Sequence, residues 1–407
     1  MTAPSDHVLD VVQALPGTAL PAYVYDLDVL SRHVSAVRAA LPEQVELYYA
    51  AKANPDPRIL TAVRPYVDGY EVSSGGELAH VADTVPGDAV AFGGPGKTRD
   101  EVIEALRRAV QIFHVESLHE LHMLDLLAAQ HAPGRTVPIL LRLNIPVADG
   151  TLDEGNLAMG GSATPFGMDP CDADRAMGAL VAGQFTHLDV RGVHAHLASG
   201  LDASAQLAVA ASVVSWAVDL AARHRCSFTQ VTVGGGMVVD YRRPDSVFDW
   251  AAYGEGMRAL AEQHPQLRLR IEPGRSLTAG CGYYVTEVLD VKHSHGEDFA
   301  VVRGGTHHLR TPATKGHDQP CVVLPVEDWP YPWPRSVSTM ESCTVVGQLC
   351  TPKDVLARGV VVPAGGLRAG DRVVFSHAGA YAWNISHHDF LMHPAPTFHY
   401  LDQRATG

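Results

Sequence analysis

The stretch YYAAKANPDPRIL at residues 48–60 ends an apolar, strand-like run on a lysine and then turns through Asn and two prolines into a helical pattern. Its strand begins at residue 46, and seven more strand-like runs follow, at 69–74, 89–94, 112–117, 138–144, 190–197, 228–236 and 267–274. Amphipathic segments lie between them. Eight strand–helix units predict a (β/α)8 barrel, with a doubly wound sheet as the alternative. Lys52 then stands where barrels carry their functional groups, at a strand's carboxyl end.

The pattern changes near residue 280. Strand-like runs at 282–292, 298–305, 320–327, 343–349 and 371–379 follow one another with few helical stretches between them. Gly- and Pro-rich turns separate these runs, which predicts an all-β domain. The strand-like segment at 19–26 is expected to join it. We therefore expect a cofactor-binding barrel at 27–278 and a β domain formed by 1–26 and 279–407.

Composition excludes several classes of function. The 407 residues carry a net charge of −14 and contain no basic run, which argues against a nucleic-acid partner. Apolar runs stay well short of the roughly 18 residues of a membrane span, and the N-terminus has no signal-peptide pattern. Six cysteines without a CxxC motif indicate reduced thiols. We expect a cytoplasmic protein.

Functional residue types gather at the predicted carboxyl ends of the barrel strands. They are Lys52, Ser73, Ser74, Arg142, His196, Ser199, Gly200, Gly234, Gly235, Gly236, Glu272, Gly274 and Arg275. The three consecutive glycines let backbone N–H groups approach an anion, and Arg275 adds paired donors, so we expect a phosphate site there rather than a flexible turn. A phosphorylated ligand beside a lysine suggests pyridoxal phosphate, whose aldehyde Lys52 would bind as a Schiff base.

Two further residues acquire roles if pyridoxal phosphate is the ligand. Glu272 would face the pyridine nitrogen and keep it protonated; the alternative is a salt bridge at the barrel mouth. His196 would lie flat against the ring; the alternative is a core histidine. His194 and His196 share one strand face and could also bind a metal ion, but no convincing third and fourth ligands stand at the other strand ends. We expect no metal.

Seven motifs in order resemble a known family. They are YYAAKAN (48–54), EVSSGGE (71–77), GVHAHLASG (192–200), GGG (234–236), EPGRSL (272–277), GQLCTPKDVLA (347–357) and GAYAWN (379–384). Together they look like the fold type III pyridoxal-phosphate decarboxylases, which include the diaminopimelate and ornithine decarboxylases and have the alanine racemase-like fold. The resemblance covers nearly the whole chain, although no single motif decides it.

The resemblance implies roles position by position. Lys52 looks like the lysine that binds the cofactor, His196 like the histidine stacked on its ring and Glu272 like the partner of the pyridinium. The implied phosphate and cofactor contacts are Ser199, Gly235, Gly236, Gly274, Arg275 and, from the β domain, Tyr381. Cys350 looks like the catalytic cysteine that reaches the site from a second subunit. A homodimer with shared active sites is therefore implied.

Two departures from the family bear on the substrate. Thr351 follows Cys350, where relatives that bind diamino substrates carry an acidic residue, and this change disfavours a distal ammonium. The segment 303–320 is rich in Arg, Lys and His, which suits carboxylates, although it could also be a solvated basic loop. This pattern is similar to the siderophore-pathway, staphyloferrin B-type members. The expected substrate-binding residues are Arg142, His307, Arg310 and Asp354.

The expected activity is decarboxylation of an L-amino-acid-type substrate, with citryl-L-2,3-diaminopropionate giving citryl-diaminoethane as the specific expectation. Diaminopimelate or another basic amino acid is the alternative substrate. A racemase on the same cofactor and a non-catalytic cofactor-binding paralogue are further alternatives. The racemase would need a second base opposite Lys52, and the sequence identifies none.

Overall fold

A computed structural model describes residues 4–146, 157–158 and 160–402. The chain divides into two compact units. One, the barrel unit, comprises residues 32–238 and 248–276; the other, the β unit, comprises 1–31, 239–247 and 277–407. Residues 239–247, expected from the sequence to belong to the barrel, group with the β unit.

The described chain contains twenty strands and eleven α-helices. The strands are β1 (Ala22–Asp26), β2 (Val45–Ala50), β3 (Gly69–Val72), β4 (Val90–Phe92), β5 (Ile112–Val115), β6 (Val137–Arg142), β7 (Leu157–Ala158), β8 (Leu188–His194), β9 (Ala198–Ser199), β10 (Gln230–Thr232), β11 (Arg268–Ile271), β12 (Gly282–Ser294), β13 (Glu297–Val302), β14 (Cys321–Leu324), β15 (Val337–Ser338), β16 (Ser342–Val346), β17 (Val355–Val361), β18 (Leu367–Arg368), β19 (Arg372–Phe375) and β20 (Thr397–Leu401). The helices are α1 (Asp6–Ala14), α2 (Leu27–Ala40), α3 (Pro57–Val63), α4 (Gly75–Thr84), α5 (Arg99–Arg107), α6 (Leu118–His131), α7 (Pro170–Val181), α8 (Ala203–Arg223), α9 (Trp250–Gln263), α10 (Arg275–Thr278) and α11 (Thr311–Lys315).

The barrel unit is a closed parallel barrel with the strand order β10-β11-β2-β3-β4-β5-β6-β8. Each of the eight strand-like runs found in the sequence overlaps one of these strands, so the predicted (β/α)8 barrel is confirmed. The strands are apolar and buried because both faces of a parallel sheet are covered. Side-chain caps begin the helices: Ser74 accepts from Glu77 N, and Thr98 and Glu101 form a reciprocal capping box.

The opening stretch shows how the chain leaves β2 at the barrel mouth. Lys52 lies in a single 3₁₀ turn, Ala51–Ala53. The Asn54 side chain then accepts a hydrogen bond from Asp56 N at 3.1 Å, and Asp56 caps α3 by accepting from Arg58 N at 2.9 Å. Pro57 occupies the first position of the helix, where its missing N–H costs nothing. These residues therefore turn the chain within a few positions and leave the lysine at the strand end.

The β unit is built on an eight-stranded sheet. Six strands follow the order β14-β19-β12-β13-β16-β17, and β1 pairs with both β12 and β20. The long strand β12 bends at a register shift between Val288 and Asp290, after which it pairs with β13. The predicted all-β second domain is found as a separate, mostly-sheet unit that also contains helices α1 and α11, and the strand at 19–26 does join it, as β1.

Helix α8 is the most apolar of the described helices. By length and composition alone it could cross a membrane, with a mean hydropathy of 1.5 over its most apolar window. Its buried residues recur every three or four positions, as at Val209, Val213, Ala217 and Leu220. It packs against α9 and β10. This is the amphipathic pattern of an outer helix of the barrel.

Candidate active site

Lys52 at the end of β2 is paired with a buried carboxylate on the next strand. Its Nζ lies 2.7 Å from Glu71 Oε2, and Glu71 Oε1 accepts a hydrogen bond from Ser73 Oγ at 2.9 Å. The lysine side chain is 48% exposed, whereas that of Glu71 is 6% exposed. Burial alone would raise the pKa of Glu71, but the Lys52 ammonium and the hydrogen bonds from Lys52 and Ser73 lower it to about 2. The lysine is thus held at the mouth by an ionised partner.

Glu272, which follows β11, is held by buried histidines from two other strands. His194 Nε2 lies 3.0 Å from Glu272 Oε2, and His114 Nε2 lies 3.7 Å from Oε1. The two imidazoles stack with their centroids 4.1 Å apart. Burial raises the pKa of Glu272, and burial lowers the pKa of both histidines well below the usual range. Oε1 of Glu272 is buried and has no hydrogen-bond partner in the described structure.

The three groups His114, His194 and Glu272 bring ligand atoms within 4.8 Å of one another. Of the two histidines that the sequence suggests as metal ligands, His194 and His196, this group contains only His194. His196, the other member of that pair, uses Nδ1 to accept a hydrogen bond from Gly235 N at 3.0 Å. The positive charge of Arg142 also lowers the pKa of His194, after burial. This surrounding charge opposes a bound cation.

His196 is neutral in this arrangement. Since Nδ1 accepts from Gly235, the proton lies on Nε2, which is 3.4 Å from Ser199 Oγ. Burial, and then the nearby positive charges of Lys52 and Arg142, lower the pKa of His196 to about 3. A neutral imidazole in this position suits stacking on a cationic ring. That contact remains a prediction.

The glycine run after β10 leaves no space for side chains. Gly234 and Gly236 have φ of +71° and +97°, which favours glycine. A Cβ at Gly235 would overlap the carbonyl oxygen of Glu272, and one at Gly236 would overlap that of Ala198. The N–H of Gly235 is already used by His196. Gly235 therefore fits a phosphate cradle through close approach of the backbone rather than as a donor.

The remaining predicted phosphate contacts lie around the same barrel end. Ser199 ends the short strand β9, and Arg275 begins α10 directly after Gly274. A Cβ at Gly274 would lie 2.7 Å from the Cβ of Ala53, next to Lys52. The lysine turn and the loop after β11 are thus packed together, and their phosphate roles remain predictions.

Arg142, predicted to bind substrate, is committed to a buried ion pair. Its Nη1 lies 2.8 Å from Glu116 Oε1, and the side chain is 10% exposed. Glu116 Oε2 accepts from Gly167 N at 2.9 Å, and the guanidinium lies over the Phe166 ring. Arg142 therefore orders the loop at 160–168. A substrate contact for it remains a prediction.

The predicted residues Cys350 and Asp354 belong to one turn in the β unit. Asp354 is 2% exposed and accepts from Thr306 N at 2.6 Å, Thr306 Oγ1 at 2.8 Å and Leu349 N at 2.9 Å. These bonds fold residues 347–354, on which Cys350 is exposed. They also occupy the carboxylate, which argues against the predicted contact between Asp354 and substrate. That contact stays untested.

The other predicted residues of the β unit lie in two neighbouring segments. Tyr381 has a positive φ of 49°, and its carbonyl oxygen accepts from Thr311 Oγ1. Arg310 Nη1 lies 2.7 Å from His387 Nδ1. His307 is fully buried, with its ring centroid 5.1 Å from that of His393.

Sequence reasoning missed the buried partners Glu71, His114 and Glu116. Each stands inside or directly after a strand that is otherwise apolar, in GYEV (69–72) or IFHVE (112–116). A charged or titratable residue in such a strand is rarely left without a role, because burying it unpaired is costly. That rule could have flagged all three. It could not have paired them with Lys52, Glu272 and Arg142.

Comparison with known proteins identifies the family of this chain. The profile of the family described as "Pyridoxal-dependent decarboxylase, pyridoxal binding domain" matches residues 27–279. The chain belongs to the pyridoxal-dependent decarboxylases. It is an enzyme of this class, its cofactor is pyridoxal phosphate, and the racemase and non-catalytic alternatives are not supported.

Three relatives of this decarboxylase stand out. It is 38% identical over 401 residues to the 2-[(L-alanin-3-ylcarbamoyl)methyl]-2-hydroxybutanedioate decarboxylase of Staphylococcus aureus, covering 97% of this chain and 98% of that one. It is 31% identical to the L-glutamyl-[BtrI acyl-carrier protein] decarboxylase of Niallia circulans, covering 92% and 87%. The structure of a mutant diaminopimelate decarboxylase from Helicobacter pylori, complexed with L-lysine, matches with a TM-score of 0.82 at 25% identity, covering 97% and 94%.

The residues present fit pyridoxal phosphate. The unpartnered, buried Oε1 of Glu272 is an acceptor that a pyridinium N–H would satisfy. The glycines at 234–236 provide a backbone surface that side chains would fill. Lys52 supplies a partly exposed amine at the end of β2. Lys52, His196, Glu272 and the glycine loop would hold the cofactor.

Proposed function

We propose that this decarboxylase acts on an L-amino acid whose side chain ends in carboxylates, joined through an amide. The specific substrate is 2-[(L-alanin-3-ylcarbamoyl)methyl]-2-hydroxybutanedioate, which is citryl-L-2,3-diaminopropionate. The product is citryl-diaminoethane, an intermediate for a carboxylate siderophore of the staphyloferrin B type. The relative from Staphylococcus aureus, named for this substrate, supports the assignment through its identity over nearly both chains.

One observation in the structure carries the choice of substrate. Asp354 is the acidic residue of the turn that carries Cys350. One oxygen of its carboxylate accepts hydrogen bonds from Thr306 and the other accepts one from Leu349. The turn at 347–354 therefore holds no carboxylate that is free to bind a distal ammonium. A diamino acid would leave its second charge without a partner on this turn, which disfavours it.

The residues of the barrel mouth have different roles in the proposed reaction. When bound, pyridoxal phosphate supplies an electron-poor ring that accepts the electron pair left on Cα when CO2 departs. Glu272 would hold the pyridine nitrogen through its unpartnered oxygen, while His194 fixes the other oxygen. His196 would stack on the ring as a neutral imidazole. Lys52 would hold the cofactor between turnovers, and Lys52 or Cys350 would deliver the proton that replaces CO2 on Cα.

Diaminopimelate decarboxylation is the second candidate. The match to the diaminopimelate decarboxylase fold, at a TM-score of 0.82, favours it to the extent that architecture alone can. The sequence identity to that structure is 25%, lower than the 38% shared with the amide-substrate relative.

We also propose a cytoplasmic homodimer in which Cys350 of the partner subunit completes each barrel site. All six cysteines are free, which suits a reducing compartment. Mixing inactive Lys52→Ala and Cys350→Ala chains tests the shared site. Random exchange should restore about a quarter of wild-type activity, because half of the dimers then carry one intact site of two. Activity that stays at the level of the separate variants would contradict it.

The product tests the proposed reaction directly. Holoenzyme incubated with citryl-L-2,3-diaminopropionate should yield an amine that has lost one CO2 and keeps both side-chain carboxylates, as identified by mass spectrometry. Recovery of unchanged substrate, under conditions in which a diamino acid is decarboxylated, would contradict the proposal.

A further inference from the structure

A group of polar side chains in the β unit surrounds one buried histidine. We call it the His307 cluster: His307, Arg310, Gln348, His387 and His393. The ring centroid of His307 lies 5.1 Å from that of His393 and 6.5 Å from that of His387. His307 is 0% exposed, while Arg310, His387 and His393 are partly exposed at the edge. The cluster is thus a buried polar centre with a half-open rim.

His307 lacks hydrogen-bond partners within the described chain. Neither its Nδ1 nor its Nε2 has one there. Buried polar groups in folded proteins are satisfied in the large majority of cases, and an unsatisfied one costs free energy. Since both ring nitrogens of His307 lack a partner, we expect a bound group to supply the missing hydrogen bonds.

The rim of the cluster presents donors. Arg310 donates to His387 Nδ1 at 2.7 Å, so the proton of a neutral His387 lies on Nε2. Gln348 Oε1 accepts from Gly304 N at 2.7 Å, which directs its amide N–H to His393 Nδ1, also at 2.7 Å. His393 therefore carries its proton on Nε2 as well. The rings of His387 and His393 thus border His307, and the Arg310 guanidinium lies beside His387.

The positive charge of Arg310 indicates that the His307 cluster binds an anion. A guanidinium at the rim repels a cation, so a metal ion is disfavoured even though histidines are common metal ligands. The acidic group of the Cys350 turn, Asp354, is already bonded to Thr306 and Leu349. Arg and imidazole N–H groups together match carboxylate oxygens, which accept several hydrogen bonds.

The cluster is tied to the turn that carries Cys350. Gln348 belongs to this turn, which residues 347–354 form, and it bonds both Gly304 and His393. A ligand held by the cluster is therefore bound at the base of the same turn. Of the cluster residues, His307 and Arg310 are predicted from the sequence as substrate contacts, whereas Gln348, His387 and His393 emerge from the structure.

We propose that the His307 cluster binds the side-chain carboxylates of the substrate and so determines specificity for a polycarboxylate. This inference rests on the proposed function, because it names the part of that substrate which the cluster holds. Arg310, the Nε2–H groups of His387 and His393, and the N–H of neutral His307 that the described chain leaves without a partner are the donors.

Citrate is the probe, since it carries the same 2-hydroxybutanedioate group. Its inhibition constant and its directly measured affinity for holoenzyme are compared among wild type, Arg310→Gln and His393→Gln. The control is Arg358→Gln, which removes the same charge from an exposed arginine of the same unit, paired with Asp318. Circular dichroism and thermal unfolding show whether each variant is folded.

Both cluster variants should weaken citrate binding by about tenfold or more, and the control by less than about twofold. With the amide substrate, KM should rise by a similar factor while kcat stays within about twofold, as expected for lost uniform binding. Citrate that binds all four folded proteins equally, or none of them, would overturn the proposal.

The two proposals fail in different ways. If wild type releases CO2 from the amide substrate but the cluster variants bind citrate normally, the proposed function stands and the cluster assignment is wrong. If citrate affinity falls in the variants but wild type does not decarboxylate the amide substrate, the carboxylate site stands and the proposed substrate is wrong.

Discussion

Lys52 is the residue on which the account of the chemistry depends. Its ammonium is paired with Glu71 at 2.7 Å, which orients the side chain at the barrel mouth. A lysine that only stabilised the barrel mouth could be removed with a modest loss, since a half-exposed ion pair contributes little.

Replacing Lys52 with alanine should abolish turnover while leaving the fold intact. The amine that binds the cofactor and moves protons is lost, so kcat should fall by about 10²–10⁴-fold or more. Bound pyridoxal phosphate should remain detectable but no longer resist removal by dialysis after borohydride reduction. Lys353→Ala is the control, because Lys353 is exposed on the Cys350 turn. Near-normal rates in Lys52→Ala would show that the assignment is wrong.

The glycine loop after β10 is the element that shapes the cofactor site. Gly236→Ala would place a Cβ against the Ala198 carbonyl oxygen at a φ of +97°, where a side chain is strained. The loop must shift, so the affinity for pyridoxal phosphate, measured by titrating apoenzyme and following absorbance, should weaken by about tenfold or more.

Gly96→Ala is the matched control, because nothing lies within 4 Å of its added Cβ. Equal cofactor affinity in the two alanine variants would mean that the loop does not contact the phosphate.

The turn at 347–354 is the element that presents Cys350. Asp354→Asn keeps the shape of the side chain but replaces one carboxylate oxygen with an NH2 group. That group cannot accept the hydrogen bond that a backbone N–H or a hydroxyl donates to the wild-type carboxylate. The free energy of unfolding should fall by about 1–3 kcal/mol. If Asp354 positions the turn, kcat should fall with little change in KM.

A direct contact between Asp354 and substrate would give the opposite pattern, a rise in KM at nearly constant kcat. Initial-rate kinetics on the Asp354→Asn holoenzyme separate the two. Asp389→Asn, an exposed position in the same unit, is the control for the loss of a charge.

At the scale of the whole molecule, buried histidines make stability depend on pH. Burial, followed by the charge of His307, lowers the pKa of His308 from 6.5 to about 3. Between these values the unfolded chain binds a proton that the folded chain does not, so the free energy of unfolding falls as pH falls through that window. One such group contributes about 1.4 kcal/mol per pH unit.

The difference between wild type and His308→Gln isolates this contribution, since other titrating groups, such as the half-buried Glu77 with its pKa raised to about 7, act on both proteins. Denaturant unfolding at pH 7 and 5 should show wild type losing more stability than the variant. The exposed His295→Gln serves as control. Identical pH slopes for wild type and His308→Gln would contradict the prediction.

Much of the architecture can be predicted from the sequence because it is encoded locally. All eight barrel strands are visible as apolar runs, and β1, β12 and β19 read as strands because β-branched and aromatic residues alternate with few breaks. Strand β17 escapes such reasoning because Arg358 and Gly359 interrupt its apolar pattern. The association of 239–247 with the β unit depends on contacts with distant residues, which no local pattern reveals.

The site is only partly predictable for the same reason. Lys52, His196, Glu272 and the glycine run stand at strand ends, and a barrel brings those ends together. The pairing of Lys52 with Glu71 and of Glu272 with His194 depends on strand register and side-chain direction. The full engagement of Asp354 by Thr306 and Leu349 spans 48 and 5 positions of sequence. Such partners emerge only from the folded chain.

The most direct test of the central claim is CO2 release by holoenzyme with four substrates in parallel: citryl-L-2,3-diaminopropionate, meso-diaminopimelate, ornithine and lysine. The account predicts release from the citryl compound, with kcat/KM at least about a hundredfold above that for any diamino acid. Faster release from meso-diaminopimelate, or from either basic amino acid, would contradict the assignment of a polycarboxylate substrate.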